Sequence, residues 1–281
     1  MATPKKNYSE ASVEGLQAKL PGTQAIDRAL AVLTCFAGSE SELGIKDIAT
    51  RTELNQSTVH RIVRALVHRG FLGQSERTER YFLDRTTMVL GQIAQRNFGL
   101  HQALPLLEAL GDQTNESVNL GLKDGHAVVV LLRVQSPQPL RFDQPPGTRI
   151  PLHCSSMGKA LLAFSPDPDQ TLESLGELPS ITPHTITQRE YLRRELHRIR
   201  ERGYSTDDEE SIVGVSCIGA PILDQAGNAG AAIAVQAPTV RMRQQGEQEL
   251  ARLVMRTADD IAGVMGFQSE SLGDPMRTQT K

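Results

Sequence analysis

Arg61, Arg64 and Arg69 fall within a stretch, Asn55 to Gln74, that contains no acidic residue. Gln56, Ser57, Thr58 and His60 stand beside them, all able to donate or accept hydrogen bonds. Positive charge without a compensating carboxylate suits a polyanion, and mixed polar side chains suit base edges in a major groove. Gln56, Ser57, Thr58, His60 and Arg61 are therefore the expected base-edge or phosphate contacts, with Arg64 better placed for phosphate. Farther on, Arg77 and Arg80 sit in and beside a polar turn, within reach of backbone phosphate at a minor groove. The competing reading is the solvated basic face of an ordinary helix. What favours DNA is the order of the elements that would carry these side chains.

Asn55 is well placed to cap a helix that carries Val59, Ile62, Val63 and Leu66 on one face and stops at Gly70. Upstream, Gly44 precedes a short helix with Ile45, Ile48 and Ala49, and Thr52-Glu53-Leu54 connects the two. A helix-turn-helix needs a small residue where its helices approach, an apolar residue in the turn and apolar contacts from the second helix. Ala49, Leu54, and the pair Val59 and Ile62 meet those needs. Glu53 stands where such turns usually carry glycine. Ile26, Ala29, Leu30 and Leu33 mark a first helix, and Phe71-Leu72 with Arg80 to Leu83 read as a two-stranded wing.

A second set of candidate residues lies beyond a helical connector carrying Met88, Leu90, Ile93 and Ala94. Ser155, Ser156, Met157 and Gly158 sit where a strand enters a helix spanning Ser156 to Phe164, and free N–H groups at a helix start bind carboxylates. Gly158 would let a ligand approach the backbone closely. A plain capped helix is the alternative. The acidic run Asp207-Asp208-Glu209-Glu210 reads as a solvated loop at Asp208 and Glu210, while Asp207 could orient a ligand hydroxyl or bridge to a neighbouring backbone N–H. His153 and Cys154 raise the question of zinc or of Cys–His catalysis. Their spacing lacks a two-ligand hook, and adjacent residues on a strand point to opposite faces. No nucleophile elbow, phosphate loop or metal motif is present. The reading is a protein that is not an enzyme and needs no metal or cofactor. A Cys–His hydrolase and a ligand-sensing module that does not bind DNA are the alternatives.

The remaining segments alternate helix and strand. Helices are expected at Leu104 to Leu110, from a capping box Thr187-Gln-Arg-Glu190 to Gly203, and at Glu247 to Met265. Strands are expected at Val118 to Leu122 and Val128 to Val134, and a hairpin pairs Cys217 to Leu223 with Ala229 to Val235. This order describes an α+β sensor domain with an antiparallel sheet. Five segments result: an N-terminal arm at 1–20, a winged helix-turn-helix at 21–83, a linker helix at 84–103, an effector domain at 104–267 and a tail at 268–281.

Composition is consistent with this organisation. At 281 residues the chain suits two domains, and its net charge of -3 leaves room for a local basic face. Cys35, Cys154 and Cys217 are odd in number and far apart, which favours a reducing compartment. The first residues lack the apolar core of a secretory signal and no apolar run approaches ~18 residues, so a cytoplasmic protein without membrane contact is expected.

Taken together, these motifs resemble the IclR family of bacterial regulators. The carriers are Thr23-Gln-Ala-Ile-Asp-Arg-Ala-Leu-Ala-Val-Leu33, Ile48-Ala49 with Gln56 to Leu66, Gly147 to Ala163, Arg202 to Glu210, and Val213 to Pro221. The resemblance spans about Thr23 to Phe267. It implies a winged helix-turn-helix, a linker helix and a GAF-like effector domain, assembled as homodimers or dimers of dimers on palindromic double-stranded operator DNA. It also implies a small-molecule effector, a carboxylic acid, and repression of a catabolic operon as the commoner outcome. Asp207, Cys217 and the last strand would line the effector pocket. Members that bind very small oxo-acids carry alternating serines on that strand. Ala234 and Gln236 stand there instead, on one strand face, which points to a larger or partly apolar acid, aromatic acids included.

Overall fold

A computed structural model describes residues 22–37 and 41–265. The arm at 1–20 and the tail at 268–281 lie outside the described residues. The chain divides between Asn97 and Phe98 into two units.

In the first unit, α1 (Gln24–Thr34), α2 (Ile45–Thr52) and α3 (Gln56–His68) precede a hairpin of β1 (Leu72–Gln74) and β2 (Tyr81–Leu83). Val32, Phe36, Leu43, Ile48, Ala49, Val59, Val63, Leu72 and Tyr81 form its core. Helix periodicity explains α3: Val59 and Val63 are fully buried, while Ile62 and Leu66 pack at the margin. Leu43 forms a two-way backbone bridge with Tyr81, each N–H 2.9 Å from the other's carbonyl. That bridge adds an edge to the wing that no periodicity announces. The connector follows as α4 (Arg85–Asn97), with no buried residue.

The stretch expected as one linker at 84–103 is interrupted at Gly99, which adopts φ 67 and separates α4 from α5 (Leu100–Thr114). Left-handed backbone cannot continue a right-handed helix, and glycine adopts it at little cost. Leu100 and Ala103 are already core residues of the second unit.

That unit is built on a six-stranded antiparallel sheet in the order β5-β4-β3-β8-β7-β6. The strands are β3 (Ser117–Asp124), β4 (Ala127–Val134), β5 (Arg149–Pro151), β6 (Ser205–Asp208), β7 (Val215–Leu223) and β8 (Ala229–Pro238). Two cores cover it. One joins α5 and α10 (Glu247–Met265) to side chains such as Val118, Leu120, Ile233 and Val235. The other joins α6 (Ser156–Ala163) and α8 (Arg189–Arg202) to Val128, Val130, Ala232 and Ala234. Strand alternation sends Val235 to one core and Ala234 to the other. This is the α+β, GAF-like architecture expected from the sequence. Short helices α7 (Pro168–Ser174) and α9 (Thr239–Gln245) complete the unit.

Three local expectations need correction. Helix α8 starts one residue later than the Thr187 capping box requires: Gln188 is the N-cap and its side chain makes no capping bond. Gly203 does end the helix, at φ 85. Strand β7 begins at Val215, two residues before the expected Cys217. Leu152–Cys154 is a 3-10 turn rather than strand, because β5 ends at Pro151.

Candidate functional site

The first unit displays the α3 cations as an open surface. Asn55 caps the helix, its Oδ1 accepting from the Thr58 N–H at 2.8 Å and from the Ser57 hydroxyl at 2.8 Å. Gln56, Ser57, His60, Arg61, Arg64 and Arg69 are exposed, and Thr58 is half-buried. On the opposite flank, Val59 and Val63 share a core with Ile48, Ala49 and Leu54. The turn holds despite lacking glycine. Glu53 itself takes the left-handed conformation, φ 54 and ψ 25, and its N–H bonds to the Ala49 carbonyl. Exposed, it extends its side chain into solvent.

The two wing arginines differ. Arg77 is exposed at the turn. Arg80 is engaged with its own unit: it pairs with Asp47 at 2.7 Å and donates to the Glu42 carbonyl at 3.2 Å. These bonds tie the wing to the start of α2, so Arg80 shapes the surface as well as charging it.

In the second unit the sequence-picked residues converge from four segments. Cross-strand register aligns Asp207 with Cys217, Cys217 with Gln236, and Gln236 with Ser117. The next row along the same face runs Ser205, Gly219, Ala234, Asn119, Arg133. Helix α6 lies on this face, every residue of it buried. Its first turn is capped by the Ser155 hydroxyl, which accepts from the Gly158 N–H at 3.1 Å. Ser156 is buried against Gly219, and Met157 is buried in the α6 core.

Gly158 has a different role from the one its type suggested. A Cβ there would lie 2.3 Å from the Leu152 carbonyl oxygen. The close approach is therefore made by the chain's own 3-10 turn, and no ligand is needed to explain the glycine. Nor does Glu210 belong to a solvated loop. It is buried and paired with the fully buried Lys159 of α6. Burial pushes the Glu210 carboxyl up to about 7, against the pull of Lys159. Asp207 is also raised by burial, although the Ser211 hydroxyl and the Glu210 and Ser211 N–H groups bind its carboxylate. Asp208 is exposed as expected, but it ends strand β6 opposite Ser216 rather than lying in a loop.

His153 and Cys154 are occupied structurally. The His153 ring lies 3.0 Å from the Pro179 carbonyl, and burial lowers its pKa. Burial raises the Cys154 and Cys217 thiols, with Asp207 nearby adding to both shifts. Neutral, buried thiols are poor nucleophiles and poor metal ligands. Among the described residues, no cluster of His, Cys, Asp and Glu could hold a metal ion.

Sequence reasoning missed Asn119, Arg133, Lys159 and Glu210. Asn119 Oδ1, Gln236 Oε1, Glu210 Oε2 and Arg133 Nε are buried without a hydrogen-bond partner. Buried polar atoms are nearly always paired, so four such atoms in one domain, three of them on side chains of one sheet face or its edge, mark a place that handles polar chemistry. A signal existed: Asn119 is the one polar side chain within Val118–Leu122 and Arg133 the one within β4, and opposite-strand register makes them neighbours.

Comparison with known proteins agrees with both halves of this geometry. Residues 25–76 match the IclR helix-turn-helix domain, and residues 95–263 match the C-terminal domain of the bacterial transcriptional regulator IclR. The HTH-type transcriptional regulator BhcR of Paracoccus denitrificans is 38% identical over 244 residues, covering 86% of this chain and 87% of its own. The DNA-binding transcriptional repressor YiaJ of Escherichia coli is 32% identical, covering 88% and 89%. An IclR homologue from Microbacterium hydrocarbonoxydans, solved with 4-hydroxybenzoate, shares the fold at a TM-score of 0.74 and 24% identity, covering 86% of this chain and 98% of its own. A capped helix with its cations outward, a wing tied to α2, a polar-faced antiparallel sheet under α6 and relatives matched over most of their length lead to one assignment: the chain belongs to the IclR family of bacterial transcriptional regulators.

Proposed function

We propose that the first unit binds a palindromic operator as part of a homodimer or dimer of dimers, and that a small organic or aromatic acid bound by the second unit modulates that binding. The observation that carries the DNA half is the exposure of Gln56, Ser57, His60, Arg61 and Arg64 on one flank of α3 while the other flank is buried. An N-terminal helical turn so presented fits a major groove. Arg77 would reach phosphate from the wing. Repression of a catabolic operon is the expected outcome, in keeping with the named repressor among the relatives. The work takes place in the cytoplasm, where operator DNA is found. No described helix is long and apolar enough to cross a membrane.

Self-association has its own support. Ile26 and Leu30 of α1 and Met88, Val89, Leu90 and Ile93 of α4 are exposed. Apolar residues at this density on short helices favour burial against a second copy. The effector half rests on the α6 face, where Ser155 to Gly158, Asp207, Cys217, Ala234 and Gln236 gather; the 4-hydroxybenzoate held by the Microbacterium homologue is the precedent for an acid ligand.

Fluorescence anisotropy of labelled DNA from upstream of the chain's own gene tests the proposal. Binding should weaken steeply with salt, since each neutralised phosphate releases counterions. One carboxylic acid from a broad panel should shift the curve. A flat titration at low salt would remove the DNA half, and a response to no acid would remove the effector half.

A further inference from the structure

We propose that the α6 face of the second unit takes a polyhydroxylated carboxylate, a sugar-acid-like chain of roughly four to six carbons, in preference to a flat aromatic acid. The proposal rests on the reading of this face as the effector site and narrows it to a ligand class.

The polar groups left over define the complement. Asn119 and Gln236 are 1% and 3% exposed, and their Oδ1 and Oε1 atoms lack partners. Both are acceptors. Gln236 lies opposite Cys217 in the β7–β8 register, and its Oε1 is left without a partner on the face beneath α6. A further oxygen without a partner, Glu210 Oε2, is buried beside Lys159. Against these stands one donor, Arg133 Nε. The rest of the Arg133 guanidinium is held by the Gln144 and Phe142 carbonyls and by Ser117 Oγ at 3.4 Å. Nε itself faces the largely exposed Asp143 carboxylate at 3.8 Å, an ion pair too long to be a hydrogen bond and open to displacement by a ligand anion. One cation with a spare N–H asks for an anionic oxygen, and several spare acceptors ask for several O–H donors.

Spacing agrees with that division. Arg133 lies on β4, Asn119 opposite it on β3, and Gln236 on β8 beyond. Two strand intervals separate the first from the last, about 10 Å between backbones, with all three side chains directed to one face. A short hydroxylated chain can place its carboxylate at Arg133 and hydroxyls at Asn119 and Gln236. The other side chains aligned on these rows, Ser117, Ser205, Asp207, Cys217 and Ala234, include no aromatic ring for a flat ligand to stack on. A benzoate with one hydroxyl would leave buried acceptors unmatched, which binding sites penalise heavily.

The test is calorimetric and thermal-shift titration of the full chain with four- to six-carbon aldonates and uronates, D-gluconate among them, alongside sorbitol, butyrate and 4-hydroxybenzoate. One of the hydroxylated acids should raise the melting temperature and bind at least tenfold more tightly than sorbitol, which lacks the anion, and butyrate, which lacks the hydroxyls. Asn119→Leu and Gln236→Met should each weaken it at least tenfold, while the melting temperature without ligand holds or rises, because a buried unpaired acceptor has been removed. Equal or tighter binding of 4-hydroxybenzoate or butyrate would overturn the ligand class and leave the effector reading standing. Binding of no acid would overturn both. A fall in melting temperature in both variants, with aldonate affinity unchanged, would make these side chains structural and end the proposal.

Discussion

The polar surface of α3 and the polar face beneath α6 handle charge in opposite ways. On α3 the cations stand in solvent, and only the helix cap is spoken for. Beneath α6, Lys159, Asp207 and Glu210 are removed from water and bound to one another or to backbone N–H groups. An exposed cation costs little to maintain and meets a large, rigid polyanion by diffusion and counterion release. A buried charge must be paired, and its partners fix its position to within a fraction of an ångström. The first arrangement suits a ligand already shaped as a groove. The second suits a small molecule that must be measured atom by atom.

The largest effect should come from disturbing the buried region. Gly158→Ala places a methyl within van der Waals overlap of the Leu152 carbonyl and should destabilise the second unit by about 3 kcal/mol in urea unfolding. Stability near wild type would show that the 3-10 turn yields easily and that the face is softer than argued.

Acidity should distinguish the two regions next. Folded Glu210 titrates near 7 and an unfolded glutamate near 4.5, so between those values the folded chain keeps a proton that the unfolded chain has lost. Stability should therefore fall as pH rises from 4.5 to 7 and level off above, by on the order of 3–4 kcal/mol at most. The raised Asp207 adds in the same direction. Glu210→Gln should remove most of this slope, measured by chemical denaturation at pH 5 and pH 8. A slope unchanged in that variant would assign the effect elsewhere.

A surface change should leave folding alone and strike function. Arg64→Ala should weaken operator binding about equally across sequences and lower the slope of log affinity against log salt by about 1. If the slope is unaltered, Arg64 does not neutralise a phosphate. The smallest effect is expected at the turn. Glu53→Gly relieves left-handed strain but loosens the unfolded chain, for a net gain of about 0.5 kcal/mol, readable as a small rise in denaturation midpoint. A loss of stability would mean that the Glu53 side chain contributes to the turn.

These regions also differ in how plainly the chain announces them. The α3 surface is contiguous in sequence, and Asn55, the Val59 and Val63 stripe and the absence of carboxylates declare it together. Position within the fold then adds little, except that Arg80 turns inward to Asp47 and that Leu43 joins the wing. The α6 face draws on β3, β4, α6, β6, β7 and β8, brought together only by strand order. Cys217 and Gln236 were traceable through family resemblance. Lys159 and Glu210 were not, since their pairing spans 51 positions and each residue alone looks like surface charge. Gly158 was legible as a close approach but not as to what approaches, because the answer depends on the preceding strand ending one turn early at Pro151.

Footprinting on the DNA upstream of the chain's own gene, with wild type and Arg61→Ala side by side at low salt, tests most directly whether the α3 flank enters the duplex. The account predicts a protected stretch with twofold sequence symmetry for the wild type, lost or requiring about 10- to 100-fold more protein for Arg61→Ala at unchanged melting temperature. Identical protection by both proteins, or none by either, would contradict it.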